Sequence, residues 1–313
     1  MRNTTDVFVR ISIDRVTLTA PRSGDRSLDS EMSPVVRRFG GRPDLMQGRA
    51  MIQQHPWSRY VALGDSFTEG IGDPEPKSPG GNRGWADRVA EVLSEQTEDF
   101  AYANLAIRGR LLRQILNEQV DAALALRPDL ISISAGGNDI IRPNTDPDRL
   151  ATILETGIER LRMDGATIVL FNGPDIGMTP VLNRSRGKVA IYNENLRAIA
   201  LRHDLIVADM WALRELKDPR MWAADRLHFS PIGHTSVARM VLEALNVNND
   251  LEPYHPEPLR RVPWRRARVE DMGWAREYLV PWVLRRVRHQ SSGDGVLPKR
   301  PDAAPYRVTN QTH

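Results

Sequence analysis

The chain has 313 residues, 41% of them hydrophobic and 27% charged, with a formal net charge of +3. That composition excludes a wholly disordered chain and is ordinary for a globular protein with one large or two small domains. Cysteine is absent, which removes disulfides, thiolate metal ligands and a cysteine nucleophile together and leaves any nucleophilic work to an oxygen or an amine.

From the N-terminus, Val7, Val9, Ile11 and Ile13 alternate with polar positions as a half-buried strand does, while Pro21 to Gly48 is polar, Arg-rich and without period. Residues 1–55, with 9 Arg against 6 acids, are therefore expected to be a largely disordered extension holding at most a short strand. Met51 lies close before the first core strand, so the unit that follows is expected to need nothing upstream of it. Arg10, Asp14 and Arg15 interrupt any signal core, and no apolar run nears 18 residues. These features lead to an expected cytoplasmic location without a membrane span.

Residues 56–249 carry 22 basic and 26 acidic residues and are long enough to build a core of their own. Arg59 to Leu63, Tyr102 to Ala106, Leu130 to Ser134, Ala166 to Phe171 and Leu205 to Ala208 read as buried strands. Helix-period stripes fall between them, clearest in Leu111, Leu112, Ile115, Leu116, Val120, Ala123 and Leu124, with others near 85–95, 149–162, 189–202 and 232–245. The alternation predicts an α/β fold, a three-layer αβα sandwich of flavodoxin-like type with five parallel strands, whose ligands bind beyond the carboxyl ends of the strands.

Residues 250–290 open with Pro253, Pro256, Pro258 and Pro263 as an extended connection. An amphipathic stripe of Met272, Ala275, Tyr278, Leu279, Trp282 and Val283 follows, flanked by Arg276, Arg285, Arg286 and Arg288, with Pro281 set to kink it. This basic C-terminal helical extension packs on the main domain, burying Trp264, Trp274 and Trp282, or lies against an anionic surface, so that peripheral membrane contact through residues 260–290 stays open. Residues 291–313 are expected to be a disordered tail.

Chemistry gathers after the strands. Gly64-Asp65-Ser66-Phe67-Thr68-Glu69-Gly70 follows the first core strand, although Gly-Asp-Ser by itself suits an ordinary turn. Thr68 stands where a Gly-x-Ser-x-Gly elbow requires its second glycine. Asp225 and His228 precede Ser230-Pro231, a helix N-cap and first position. Their three-residue spacing can set a carboxylate against one imidazole nitrogen while the other faces a serine, the orienter and base that an activated hydroxyl needs; by themselves they suit a loop histidine bonded to backbone and a turn former equally. Asn104 to Gly109 ends the second strand and Gly136-Gly137-Asn138-Asp139 the third. Gly109 and Asn138 offer amides suited to an oxyanion, or serve as a turn former and a cap.

In order and context, GDSFTEG, NLAIRG, GGND and DRLHFSPIG resemble the four motifs of the SGNH, or GDSL-type, serine hydrolases. The resemblance covers residues 56–249, and Phe67 stands where the four-letter name has leucine. It implies a five-stranded parallel sheet between helices and a serine ester hydrolase working through an acyl-enzyme. Ser66 is then the nucleophile, Asp225 and His228 complete the triad, and Ser66, Gly109 and Asn138 form the oxyanion hole. The substrate it implies is a small-molecule acyl or acetyl ester, with lipase, thioesterase, deacetylase or acyl-transfer variants undivided. No cofactor or metal is expected, since the remaining histidines show no ligand spacing. Gly70-Ile71-Gly72 and Gly80-Gly81 lack a nucleotide fingerprint, and no nucleic-acid partner is expected. Gly173 to Lys188 is expected to line the acyl or leaving-group side. The rival reading is a non-catalytic or partner-gated scaffold on the same fold, docking through its basic tail.

Overall fold

Five short strands form the parallel part of the sheet, buried along nearly all of the first four: β1 (Arg59–Leu63), β2 (Ala101–Asn104), β3 (Leu130–Ile133), β4 (Thr167–Phe171) and the half-buried edge strand β5 (Ile206–Ala208). They belong to a computed structural model that describes residues 55–178, 182–256, 271–281 and 291–306. Between the strands run α1 (Ser66–Glu69), α2 (Gly84–Gln96), α3 (Leu112–Ala125), α4 (Gly137–Ile140), α5 (Pro147–Leu161) and α6 (Arg186–His203), and α7 (Pro231–Ala244) follows β5. The longer helices coincide with the predicted stripes to within a few residues.

Alternation along the strands divides the core by face. Val61, Leu63, Ile131, Ile133, Ile168 and Leu170 meet Leu112, Ile115, Leu154, Leu196 and other residues of α3, α5 and α6. Tyr60, Ala62, Leu130, Val169 and Phe171 meet Trp85, Val89, Val237 and Val241 of α2 and α7. Both faces of the sheet are thus covered, which is why the strands read as continuous apolar runs. Ser230 accepts from the Gly233 N–H at 3.3 Å and Pro231 opens α7, the predicted cap.

The sheet departs from the expected five parallel strands. Arg300–Pro305 forms β6, antiparallel to β2, and the order is β5-β4-β3-β1-β2-β6, a mixed six-stranded sheet. The expectation of a disordered tail over 291–313 is therefore corrected for residues 291–306. Arg300-Pro-Asp-Ala-Ala-Pro305 has neither alternation nor a β-branched residue, and its two prolines fit only an edge strand. Its place is fixed by tertiary contacts. Lys299 Nζ reaches Asp87 Oδ2 at 3.0 Å with both side chains buried, and donates to the carbonyls of Asn82 and Arg83. The Arg300 guanidinium lies 5.7 Å from the Tyr102 ring and 4.8 Å from that of Tyr306.

The main domain also reaches past both expected boundaries, 56 and 249. His55 meets the Leu93 carbonyl at 2.9 Å and stacks on Trp57, and Tyr254 donates to Asp218 at 3.0 Å. Of the expected C-terminal helix, residues 271–281 are helical, with a wide turn at Ala275–Leu279. Arg226 holds this segment through Asp271 at 2.7 Å and the Trp274 ring at 5.0 Å. Trp264, Trp282, Arg285, Arg286, Arg288 and the rest of 260–290 lie outside the described residues, as do residues 1–54 and 307–313. No helix among the described residues is long and apolar enough to cross a membrane.

Candidate active site

β1 delivers the chain to Gly64, and Asp65 turns it into α1. The Asp65 carboxylate caps that helix by accepting from the Phe67 N–H at 3.1 Å, so Ser66 is the first helical residue. Gln119, on α3, grips the Gly64 peptide from both sides: its Oε1 accepts from Gly64 N at 2.8 Å and its Nε2 donates to Gly64 O at 2.9 Å. Beneath Ser66, the Phe67 ring packs 5.5 Å from Trp85, Phe171 and Phe229.

The β2 loop is tied to the same short helix. Asn104 Nδ2 donates to the Thr68 carbonyl at 2.9 Å. Glu69, buried, accepts from the Arg108 backbone N–H at 2.7 Å and from Arg108 Nε at 2.9 Å. Gly109 follows with φ of +76°, a conformation that favours glycine.

After β3, α4 presents Asn138. Its Nδ2 donates to Asp65 Oδ2 at 3.0 Å and to the Arg110 carbonyl at 3.1 Å, so it bridges the β1 and β2 loops. Asp139 accepts from the Leu112 N–H at 2.9 Å and joins the start of α3 to the same rim. Burial pushes the Asp65 carboxyl up to about 6, against the lowering effect of the Phe67 N–H and of His228.

Across the rim, the loop before α7 holds His228. Asp225 Oδ1 accepts from the N–H groups of Leu227 and His228, both at 3.0 Å, and Asp225 Oδ2 accepts from His228 Nδ1 at 2.5 Å. That acceptor assigns the proton of a neutral imidazole to Nδ1 rather than Nε2. Burial raises the Asp225 pKa, but the hydrogen bond and charge of His228 and the two backbone donors outweigh it, so the net shift is downward. The loop seats closely on Gly72, where a Cβ would lie 2.1 Å from the Phe229 carbonyl oxygen and 3.1 Å from His228 Cβ.

A cavity of about 1210 Å³ gathers these parts, with Ser66, Gly109, Asn138 and His228 in one lining and Asp225 behind the imidazole. Every sequence-predicted site residue thus reaches one place. Ile176, Leu182 and Val189, from the segment expected to line the substrate side and the start of α6, line it too. Among the described residues no cluster suited to a metal ion occurs.

Glu69, Gln119, Gly72 and the lining residues Ser291, Ser292 and Asp294 take part in the site without having been expected there. Glu69 carried a faint signal, one helical turn after Ser66. Gln119 sat as one polar residue within an apolar stripe.

The family model of the GDSL-like Lipase/Acylhydrolase family matches residues 62–235, more than half of the chain. The chain belongs to that family. As a GDSL-like protein it is an esterase- or lipase-type hydrolase of α/β architecture.

Three solved structures share the fold at low identity. TesA is 21% identical with a TM-score of 0.50, over 59% of this chain and 97% of its own. A catalytic mutant of Axe2, an acetylxylan esterase from Geobacillus stearothermophilus, is 20% identical with a TM-score of 0.51, over 61% and 95%. The psychrotrophic esterase EstA from Pseudoalteromonas sp. is 15% identical with a TM-score of 0.50, over 60% and 97%. A search of curated proteins by sequence found no match.

Proposed function

We propose that this protein is a serine esterase that cleaves carboxylic acyl esters through an acyl-enzyme on Ser66. The observation that carries the reading is His228, fixed at Nδ1 by Asp225 and sharing one cavity with the hydroxyl at the start of α1. His228 Nε2 takes the Ser66 Oγ proton as Oγ attacks the carbonyl carbon, and Asp225 holds the tautomer and stabilises the imidazolium. The backbone N–H groups of Ser66 and Gly109 and the Asn138 side chain meet the developing oxyanion. Asn138 Nδ2 already donates to Asp65 and Arg110 O, so it enters the reaction pre-oriented and shares a hydrogen with the oxyanion as charge develops. The imidazolium then protonates the leaving alcohol, and water, deprotonated by the same nitrogen, releases the acid.

The aliphatic lining from Ile140, Ile141, Ile176, Leu182 and Val189 suits an acyl chain. Axe2, an acetylxylan esterase, and EstA, an esterase, share the fold, in line with this class. The test is hydrolysis of p-nitrophenyl esters from acetate to long chains by wild type and Ser66→Ala, with fluorophosphonate labelling. Activity and label lost together in the variant are expected. A wild type that neither hydrolyses nor labels would return the choice to the scaffold reading.

A further inference from the structure

We propose that residues 291–294, outside the segment matched by the family, form the alcohol-side wall of the active-site cavity and select esters of alcohols that carry further hydroxyl groups. The inference rests on the esterase reading above and concerns which leaving group that site accepts.

Four observations place the wall. Ser291, Ser292 and Asp294 line the same cavity as Ser66 and His228. The segment lies directly on the β2 loop: a Cβ at Gly109 would come 2.5 Å from Ser291 Oγ and 3.2 Å from Ser292 Oγ, and one at Gly293 would come 2.1 Å from the Arg108 carbonyl oxygen. It is built as a turn, with Asp294 Oδ2 accepting from the Ser291 N–H at 2.9 Å and Ser291 Oγ from the Gly293 N–H at 3.2 Å. It is anchored from below by Lys299 and β6.

Sheet order then gives the cavity two ends. β6 is antiparallel to β2 and Arg300 pairs with Asn104, the last residue of β2, so residues just before β6 stand beyond the carboxyl edge where the active loops gather. Along that edge Ile176, Leu182 and Val189 follow β4, Ile140 and Ile141 end and follow the helix after β3, and Ser66 follows β1. Arg108 and Gly109 follow β2, and Ser291 to Asp294 flank β6. The nucleophile thus lies between an aliphatic end and an end made of hydroxyls and a carboxylate. An ester carbonyl at Ser66 with its acyl chain over the β3 and β4 loops points its alcohol at the second end. Ser292 and Asp294 are exposed and offer one donor-acceptor hydroxyl and one acceptor-only carboxylate. Asp294 Oδ1 stands 3.7 Å from Arg110 Nη1, so its charge is partly balanced. Hydroxylated alcohols satisfy both groups, whereas an alkyl alcohol satisfies neither.

The test holds the acyl group fixed and varies the alcohol, comparing glyceryl monobutyrate with ethyl butyrate. The ratio of their kcat/KM values is measured for wild type, Ser292→Ala and the double variant Ser292→Ala/Asp294→Leu, with Tm checked in each. Loss of one or two hydrogen bonds predicts a fall in that ratio of about twofold to tenfold per bond. The preference between p-nitrophenyl butyrate and acetate, an acyl-side property, is expected to hold. Ser292→Ala removes a hydroxyl from an exposed residue and keeps the comparison available if the double variant loses its turn. An unchanged ratio in folded variants, with Ser66-dependent hydrolysis present, overturns this proposal alone. Absence of Ser66-dependent hydrolysis in wild type overturns it together with the esterase reading.

Discussion

Lys299→Met tests whether the C-terminal strand is part of the domain or an ornament on it. Lys299 Nζ and Asp87 Oδ2 stand 3.0 Å apart with side-chain exposures of 2% and 1%. Burial drives the Lys299 pKa down and the Asp87 pKa up, in each case against the attraction of the partner. Desolvation therefore outweighs pairing for both groups, and the pair fixes position more than it adds stability. Removing one partner is a different matter, because among the described residues Asp87 keeps only the Tyr102 hydroxyl, at 2.9 Å, and the more distant Arg300. Breaking such a pair costs about 3–5 kcal/mol, a drop in Tm on the order of 10 °C for a domain of this size. Asp87 in the variant escapes by taking up a proton. Its folded pKa lies further above the unfolded value than in wild type, so the deficit is full at neutral pH and shrinks as pH falls. Asp87→Asn/Lys299→Met removes both charges and should recover most of the loss, giving a coupling above about 1 kcal/mol in a double-mutant cycle. Thermal unfolding of the four proteins at pH 7 and pH 5 is the assay. A Lys299→Met loss under about 1 kcal/mol, or one that grows at pH 5, would refute the argument.

Asn138→Ala should lower kcat by about 10² to 10³, roughly 2.7–4 kcal/mol, with little change in KM, because the donor matters in the transition state; steady-state kinetics decide it. Glu69→Ala leaves the Arg108 N–H and guanidinium without their carboxylate, so a stability loss of about 1–3 kcal/mol is expected. In the same variant kcat should fall further than KM rises, since the Gly109 loop loses its tie to α1; a purely structural role would move Tm alone. Asp65 and His234 should cancel in acid. The Asp65 pKa is raised by burial to about 6, so its contribution is present below about 4 and lost as pH rises to 6. Burial lowers His234 to about 4, so its contribution is present above 6.5 and lost as pH falls to 4. Each amounts to about 3 kcal/mol, and Asp65→Asn should therefore make stability fall by about that much between pH 6.5 and 4, which thermal melts across that range would check.

The parallel layer was legible because its signal is local. β1 to β4 are short, mostly apolar runs buried between the two helical layers, and α3 and α5 show their periodicity in the letters themselves. Ser66, Asp225 and His228 were legible for a related reason: each sits beside a turn or cap whose residues, Gly64-Asp65 and Ser230-Pro231, have local roles. β6 has no such signature. Its residues are held by Lys299 meeting Asp87 across 212 positions of sequence, and a charge pair at that separation leaves nothing in composition or period. Gln119 escaped similarly, since a glutamine inside an apolar stripe gains meaning only when the Gly64 peptide is found in its grip.

These tertiary contacts form one system with the predicted site. Glu69, Asn104 and Gln119 all act on the peptide between Gly64 and Glu69 or on the loop facing it. A hydroxyl nucleophile and its oxyanion donors work only when held to within a fraction of an ångström, and neither Ser66 nor Gly109 carries a side chain long enough to fix itself. Positioning therefore falls to buried polar groups on the surrounding elements, and Glu69, Asn104 and Gln119 are each hydrogen-bonded, since burial penalises a polar group that is not. Residues 291–294 extend the same logic past the family's boundary. The turn touches Arg108 and Gly109 through glycine contacts too close for any side chain, so a change in how β6 seats is felt at the loop that faces the nucleophile. If the proposed alcohol wall and the proposed oxyanion donor share this piece of backbone, substitutions at Lys299 should alter leaving-group preference, read as the ratio of kcat/KM for glyceryl monobutyrate and ethyl butyrate, at temperatures where the domain is still folded.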